Sequence, residues 1–135
     1  MHDISDELRT QLLAVRDRAY APYSRHPVGA ALVSDDNHTF YGCNVEIANY
    51  KGLCAEASAI AALISSGRQT ITEIYVIGPG EHLCTPCGDC RQRIREFATP
   101  ETRIHVLDGQ ANWLKSYTMD ELLPDSFGPE NLAGL

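Results

Sequence analysis

The chain has 135 residues, of which 44% are hydrophobic and 21% are charged, and its formal net charge is −7. This length is enough for one ordinary hydrophobic core, and the composition is typical of a globular protein rather than a disordered one. Proteins that grip nucleic-acid backbones carry clustered Lys and Arg, because neutralising phosphates supplies most of their affinity. The acidic balance therefore favours a small-molecule partner over nucleic acid, bound by a single domain over residues 1–135.

The N-terminus and the cysteines predict a cytoplasmic protein. Charged residues interrupt the first segment, so it lacks the apolar centre of a secretion signal. No stretch reaches the roughly 18 apolar residues of a membrane span. The five cysteines are an odd number, and in a reducing compartment thiols stay free or bind metal. Three of them fall in a metal pattern, and the other two, Cys43 and Cys84, are expected to be small buried residues.

The first half of the chain predicts one helix and a hairpin. Apolar residues at helical spacing indicate a helix over residues 5–20, which Pro22 ends. An aromatic-rich connector with a second proline follows. β-Branched and aromatic residues on both sides of the turn at 35–37 predict strands at 28–34 and 38–43.

The second half alternates helices and strands. The predicted elements are a helix at 54–66, a strand at 71–77, a helix at 88–97, a strand at 104–107, a weakly indicated strand near 112–117 and a helical turn at 120–123. The helix at 54–66 is apolar on nearly all sides, which is typical of a buried helix. The alternation predicts an α/β fold of three layers, with helices on both faces of the sheet.

Two segments carry the pattern of a catalytic zinc site, Cys54-Ala55-Glu56 and Pro86-Cys87-Gly88-Asp89-Cys90. Their three thiols have no convincing fourth ligand nearby, and a catalytic zinc keeps one position open for water whereas a structural zinc is closed by four protein ligands. Glu56 suits general acid–base work, because a carboxylate that ligated the metal would be locked there. Zinc deaminases combine a non-ligand Glu with a P-C-x-x-C segment. The pattern therefore predicts a hydrolytic zinc enzyme that acts on an aminated base.

A structural zinc site and a redox dithiol fit these segments less well. A C-x-x-C pair alone is found in both, but a thioredoxin-like dithiol needs no third cysteine. The remaining histidines have no zinc-like spacing to the cysteines and are expected on the surface or in strands; they are His2, His38, His82 and His105.

Both cysteine segments begin predicted helices. The N-terminal ends of helices favour anions, so together with Arg91 they would offset the negative charge of the thiolates.

Blocks along almost the whole chain resemble the cytidine deaminase family in its small, homotetrameric form. They are Ala21-Pro22-Tyr23-Ser24, Val28-Gly29-Ala30-Ala31, Gly42-Cys43-Asn44-Val45-Glu46, Cys54-Ala55-Glu56, Pro86-Cys87-Gly88-Asp89-Cys90-Arg91-Gln92 and Glu121-Leu122-Leu123-Pro124 with Phe127. The resemblance implies a mixed five-stranded sheet in a three-layer α/β/α fold. It also implies one zinc ion per subunit, a homotetramer with shared active sites, and deamination of cytidine and 2′-deoxycytidine in pyrimidine salvage.

The resemblance also implies roles for individual residues. Glu56 is the catalytic acid–base group, and the metal ligands are Cys54, Cys87 and Cys90. Asn44 and Glu46 bind the sugar hydroxyls of the substrate. The main chain at Ala55 and near Thr85 holds the edge of the base. The ring of His26 packs on the base, and Phe127 from a neighbouring subunit covers it. Arg91 and Gln92 hydrogen-bond the zinc thiolates.

Three departures from the family pattern keep the substrate open. His26 stands where the family usually has Phe, the segment from Asn44 to Cys54 is one residue shorter than expected, and Ala57 stands where many relatives have Arg. One alternative is a deaminase of another aminated heterocycle, such as a nucleoside antibiotic or a free base. A second is a zinc-stabilised binding protein without catalysis, for which Glu56 would be dispensable.

Overall fold

The computed structural model describes residues 4–133, and in that part of the chain a five-stranded sheet is flanked by helices. The helices are α1 (Asp6–Asp17), α2 (Ala55–Ser65), α3 (Gly88–Phe97) and α4 (Met119–Leu122), with a short 3-10 helix at Pro129–Leu132. The strands are β1 (Gly29–Ser34), β2 (Thr39–Cys43), β3 (Ile71–Ile77), β4 (Ala98–Leu107) and β5 (Trp113–Thr118). The predicted α/β class is confirmed.

The sheet has the strand order β2-β1-β3-β4-β5. Strand β1 is antiparallel to both β2 and β3, so those two strands run in the same direction. Strand β3 is parallel to β4, and β5 returns antiparallel to β4. The sheet is therefore mixed, as the resemblance implied.

Side chains alternate between the two faces of each strand, and each face has its own core. On one face, Leu12 of α1 packs with Ala31, Ile77 and Leu107. On the other face, α2 and α3 cover a larger cluster that includes Ile74, Val76 and Ile104. The arrangement confirms three layers, with α1 on one side of the sheet and both helices of the cysteine motifs on the other.

The first helix is shorter than the predicted 5–20. Ser5 caps its N-terminus by accepting a hydrogen bond from the Leu8 amide, and the helix ends at Asp17. The chain leaves the helix because Tyr20 pairs with Val45 in an isolated β-bridge. This long-range pairing is not visible in the local pattern of residues 5–20.

The prediction that α2 is buried on all sides is wrong. Its inner face is buried, but Ala61, Ala62 and Ile64 are exposed, and Ile64 keeps 39% of its surface accessible. An apolar sequence pattern indicates that a helix surface is buried. It does not show whether residues of the same chain or of another chain cover that surface. Gly67 follows the end of the helix with a positive φ of 94°, a conformation that glycine tolerates there.

The other predicted elements are confirmed with small changes of length. The hairpin turn contains Asn37 at a φ of 65°, the helix at 88–97 is found as α3, and the weakly indicated strand near 112–117 is β5. The strand predicted at 104–107 begins earlier, at Ala98. Within residues 4–133 no helix is long and apolar enough to cross a membrane. His2 lies outside the described residues.

Candidate active site

The strand directions bring the two cysteine motifs together. Helix α2 follows β2 and helix α3 follows β3, both helices lie on the same face, and the two strands point the same way. The helices therefore begin side by side at one edge of the sheet. Cys54 is the N-cap residue of α2 and Cys87 is the N-cap residue of α3, while Cys90 lies in the first turn of α3.

The three thiols fit a zinc ion. Their sulfur atoms all lie within 4.8 Å of one another, and Cys54 Sγ is 3.8 Å from Cys87 Sγ. Tetrahedral zinc with Zn–S bonds of about 2.3 Å places its sulfur ligands about 3.8 Å apart. Within residues 4–133 the group contains these three ligands and no His or carboxylate. Three protein ligands with a free position are the donor set of a catalytic zinc rather than a structural one.

Two of the three thiols, those of Cys54 and Cys90, need a nearby cation to ionise at neutral pH. Burial raises the pKa of Cys54, and burial and the charge of Glu56 raise the pKa of Cys90. No side chain caps the start of either α2 or α3. The first amide groups of both helices, which have no partner within the helix, therefore remain available to negative charge at the site.

Glu56 lies in the first turn of α2 with only 4% of its surface exposed. Burial raises the pKa of its carboxyl group, against a smaller opposing effect of a hydrogen bond with Cys90. A carboxyl group next to the thiols but outside the ligand set is free to exchange a proton with a molecule bound there.

A cavity of about 230 Å³ opens beside the thiols. It is lined by His26, Val28, Asn44, Cys54, Ala55, Glu56, Cys84, Thr85 and Cys87. The fold thus brings most of the predicted substrate-binding residues to one place. Val28 and Cys84 were not predicted here. Cys84 is only half-buried, and the one signal for it in the sequence was its position in the loop three residues before Cys87.

Asn44 and Glu46 make hydrogen bonds within the protein. The Asn44 side chain accepts from the Val28 amide at 2.9 Å and donates to the His26 carbonyl at 3.0 Å. The Glu46 carboxylate accepts from the Tyr23 and Ser24 amides and from the Ser24 hydroxyl. These bonds hold the pKa of Glu46 below its usual range. Both residues therefore anchor the connector before β1, whatever else they bind.

Arg91 and Gln92 donate to oxygen atoms in this structure. The Arg91 guanidinium donates to the Pro86 and Leu122 carbonyls, both at 2.8 Å, and to the Thr85 hydroxyl at 3.3 Å. It therefore fixes the loop that leads into α3. The Gln92 side chain is exposed and donates to the Phe127 carbonyl at 2.8 Å. Their predicted bonds to zinc thiolates stay a prediction.

Phe127 is not among the described residues that line the cavity of its own chain, and its surface is 56% exposed. The surrounding tail is fastened to α3, because Arg95 donates to the Ser126 hydroxyl and pairs with Glu130. A role for the Phe127 ring in a neighbouring subunit is compatible with this exposure and remains a prediction.

Comparisons with known proteins agree with this fold and site. Residues 3–106 match the family model of the cytidine and deoxycytidylate deaminase zinc-binding region. A cytidine deaminase of Sporosarcina psychrophila is 33% identical over 129 residues, which cover 95% of this chain and 94% of the relative. A cytidine deaminase of Mycoplasma pneumoniae is 38% identical over 125 residues, which cover 90% and 92%.

A solved structure resembles the whole fold. The crystal structure of cytidine deaminase from Burkholderia pseudomallei superimposes with a TM-score of 0.83 at 36% sequence identity, covering 93% of this chain and 100% of that one. Fold and site together define a zinc-dependent hydrolase. The chain belongs to the family of cytidine and deoxycytidylate deaminases.

Proposed function

We propose that the chain is a zinc-dependent cytidine deaminase that converts cytidine and 2′-deoxycytidine to uridine and 2′-deoxyuridine, a step of pyrimidine salvage. The observation that carries the proposal is the buried Glu56 next to three thiols that fit zinc, on the lining of a nucleobase-sized cavity. The names of relatives that align over nearly their full length support a cytidine substrate.

The reaction adds water to the ring carbon that bears the amino group and releases ammonia. A zinc ion held by Cys54, Cys87 and Cys90 would lower the pKa of its water from about 15.7 to about 7. Glu56 would take one proton from the water and deliver it to the ring nitrogen, and it would then take the second proton from the oxygen added to the ring carbon and deliver it to the departing amino group. Its raised pKa suits a group that holds a proton between two steps, and such shuttling contributes roughly 10²–10⁴-fold.

We assign substrate contacts to groups that retain hydrogen-bonding capacity. A carboxylate offers about four acceptor positions, and Glu46 uses three of them for Tyr23 and Ser24. The Asn44 amide likewise uses one acceptor and one donor position. Both can still bind a sugar hydroxyl. The main chain at Ala55 and the Thr85 segment hold the edge of the base, and the His26 ring lies against it.

We propose further that the chain works as a homotetramer with shared active sites. The exposed apolar strip on α2, which contains Ala61 and Ile64, and the exposed rings of Tyr50 and Phe127 would be covered by neighbouring subunits. An aromatic ring supplied by a neighbour would exclude water from the nucleoside, which strengthens the electrostatic interactions within the site. Residues 1–135 would act as one catalytic domain in the cytoplasm, where the five free cysteines suit a reducing compartment.

A deaminase of another aminated heterocycle remains the second candidate, because His26 makes the cavity wall more polar than a phenylalanine would. Ammonia release from cytidine, deoxycytidine, cytosine, adenosine and blasticidin by the zinc-loaded chain separates the two. The highest kcat/KM on the two pyrimidine nucleosides supports the proposal. Preference for another member of the panel would refute it in favour of the rival.

Glu56→Gln tests the chemistry. The variant should keep zinc and fold and lose at least about 10²-fold in kcat, since the acid–base group is gone. Glu96→Gln, on the exposed side of α3, is the matched control and should retain full activity. Zinc content and rate are measured on the same samples. A Glu56→Gln variant with near-normal turnover would leave a zinc-binding protein that uses another mechanism, or none.

Deletion of residues 125–135 tests the shared site. It removes Phe127, so KM for cytidine should rise strongly while zinc is retained. Sedimentation of the intact chain gives the oligomeric state. A fully active monomer, or a truncated form with an unchanged KM, would mean that each chain builds its site alone.

A further inference from the structure

The cavity contains a thiol that metal binding does not use. Cys84 lines the cavity but is not part of the three-thiol cluster. Its sulfur lies 3.7 Å from Nε2 of His26, within hydrogen-bonding distance for a thiol. Two residues far apart in sequence therefore form one wall, with a polar contact between them.

The main chain of His26 is held on both sides. Its amide donates to the Ser24 hydroxyl at 3.1 Å, and its carbonyl accepts from Asn44 at 3.0 Å. The Ser24 hydroxyl in turn donates to Glu46. With the backbone fixed, the orientation of the ring depends on its side-chain neighbours.

The thiol packs closely against the main chain at Gly78. A side chain at Gly78 would place a carbon 2.8 Å from the Cys84 sulfur, so the missing side chain at the end of β3 makes room for it. The second neighbour of the His26 ring is the exposed ring of His82, at 5.9 Å between centroids and a tilt of 31°. Of these two neighbours, only the half-buried thiol offers a hydrogen bond in a fixed direction.

Burial of the Cys84 thiol makes it available as a hydrogen-bond donor. Burial and the nearby charge of Glu56 raise the pKa of Cys84 to about 11, so the sulfur keeps its proton at neutral pH. A protonated thiol can donate to a ring nitrogen that carries no hydrogen atom. In the arrangement in which the S–H group donates to Nε2, the ring proton resides on Nδ1.

We propose that Cys84 is a positioning residue for His26: its thiol donates to Nε2 and holds the imidazole ring, with its proton on Nδ1, against the cavity. Its effect on catalysis depends on the proposed function, in which this ring lies against the base. The hydrogen bond and the tautomer do not depend on it. Without the thiol, the ring loses its fixed rotamer and tautomer, and the base loses a preorganised wall.

Nitrogen-15 NMR of the zinc-loaded full-length chain reads the tautomer directly, with His26→Phe to assign the signals. In the native protein Nδ1 should show a protonated shift and Nε2 an unprotonated one. Cys84→Ala should give a mixture of tautomers, and Cys84→Ser should restore the native pattern because a hydroxyl also donates. Cys43→Ala, at another half-buried free cysteine, is the control and should leave the His26 signals unchanged.

Kinetics provide the second reading. A thiol is a weak donor, so the loss of its hydrogen bond in Cys84→Ala should raise KM for cytidine about 2- to 5-fold, with kcat nearly unchanged and Cys84→Ser closer to the native value. Zinc content and circular dichroism identify variants that fail to fold. A native ring protonated on Nε2 overturns the proposal, and so does a Cys84→Ala variant with the native tautomer. If cytidine is not a substrate while the tautomer responds as expected, the proposed function fails and the positioning role stands.

Discussion

Gly42 lies in β2 where this strand crosses the first turns of α2, and there is no room for a side chain. A Cβ atom at this position would lie 2.4 Å from the Ala59 nitrogen and 2.7 Å from the Ala55 oxygen. Both atoms belong to helix backbone, so no side chain can rotate away. Gly42→Ala therefore forces the strand or the helix to move by roughly 1 Å before normal van der Waals contact returns.

The cost of this substitution falls in the upper part of the range for overpacking. Extra methyl groups in a packed interior usually cost about 1–3 kcal/mol, and the rigid neighbours here favour about 2–3 kcal/mol. For a domain of this size that corresponds to a fall in Tm of roughly 6–12 °C. The displaced segment carries Cys54 and Glu56, so zinc affinity and kcat/KM should fall together with stability.

Scanning calorimetry, a chelator competition for zinc and steady-state kinetics measure the three effects. Gly88→Ala is the matched control, since this glycine also borders a metal ligand but a Cβ there meets nothing within 4 Å. The control should remain within about 0.5 kcal/mol of the native protein. A Gly42→Ala protein with native Tm and native zinc affinity would show that β2 and α2 can move apart without a loss of stability.

Three further predictions concern Arg91, Thr102 and Asp36. Arg91→Ala leaves the acceptors before α3 without a donor and should weaken zinc binding about 10–100-fold in a chelator competition; unchanged affinity would assign Arg91 to the fold alone. Thr102→Val removes a buried hydroxyl that donates to the Ile71 carbonyl at 2.6 Å, so the free energy of unfolding in urea should fall by about 1–3 kcal/mol at constant m, and an unchanged midpoint would contradict this. Hydrogen bonds from Arg68 and Ser34 hold the pKa of Asp36 below its ordinary range. The difference in unfolding free energy between the native protein and Asp36→Asn should therefore be constant above about pH 5 and shrink below about pH 4. A difference that grows as the pH falls would contradict the lowered pKa of Asp36.

The cluster of three thiols that could hold zinc was predictable because it is a local chemical pattern. The pattern consists of three cysteines and one glutamate, and each lies just before or within a predicted helix. These residues can form one site only if both helices begin at the same edge of the sheet. The strand directions met this condition. The strands themselves were predictable from runs of β-branched residues, as in Ile71–Ile77.

The remaining features depend on contacts between distant segments, which local patterns do not encode. Tyr20 leaves the helical path to pair with Val45, and the thiol of Cys84 meets a ring 58 positions earlier in the chain. The apolar surface of α2 predicted burial correctly only for the side that faces the sheet. Asn44 and Glu46 were expected to face a sugar, and their hydrogen bonds to the connector could not be derived from a two-residue motif in a loop.

The order of the strands also decides when the metal site can form. Cys54 precedes β3 and Cys87 follows it, and β3 occupies the middle of the sheet between β1 and β4. The two sulfurs meet only after α2 has packed on the sheet and β3 has paired with β1, and pairings between such distant segments are slow to form. A refolding chain would therefore bring Cys54 to the pair Cys87 and Cys90 only once this part of the sheet has formed. The rate of zinc capture would measure the completion of the fold rather than the encounter with the metal.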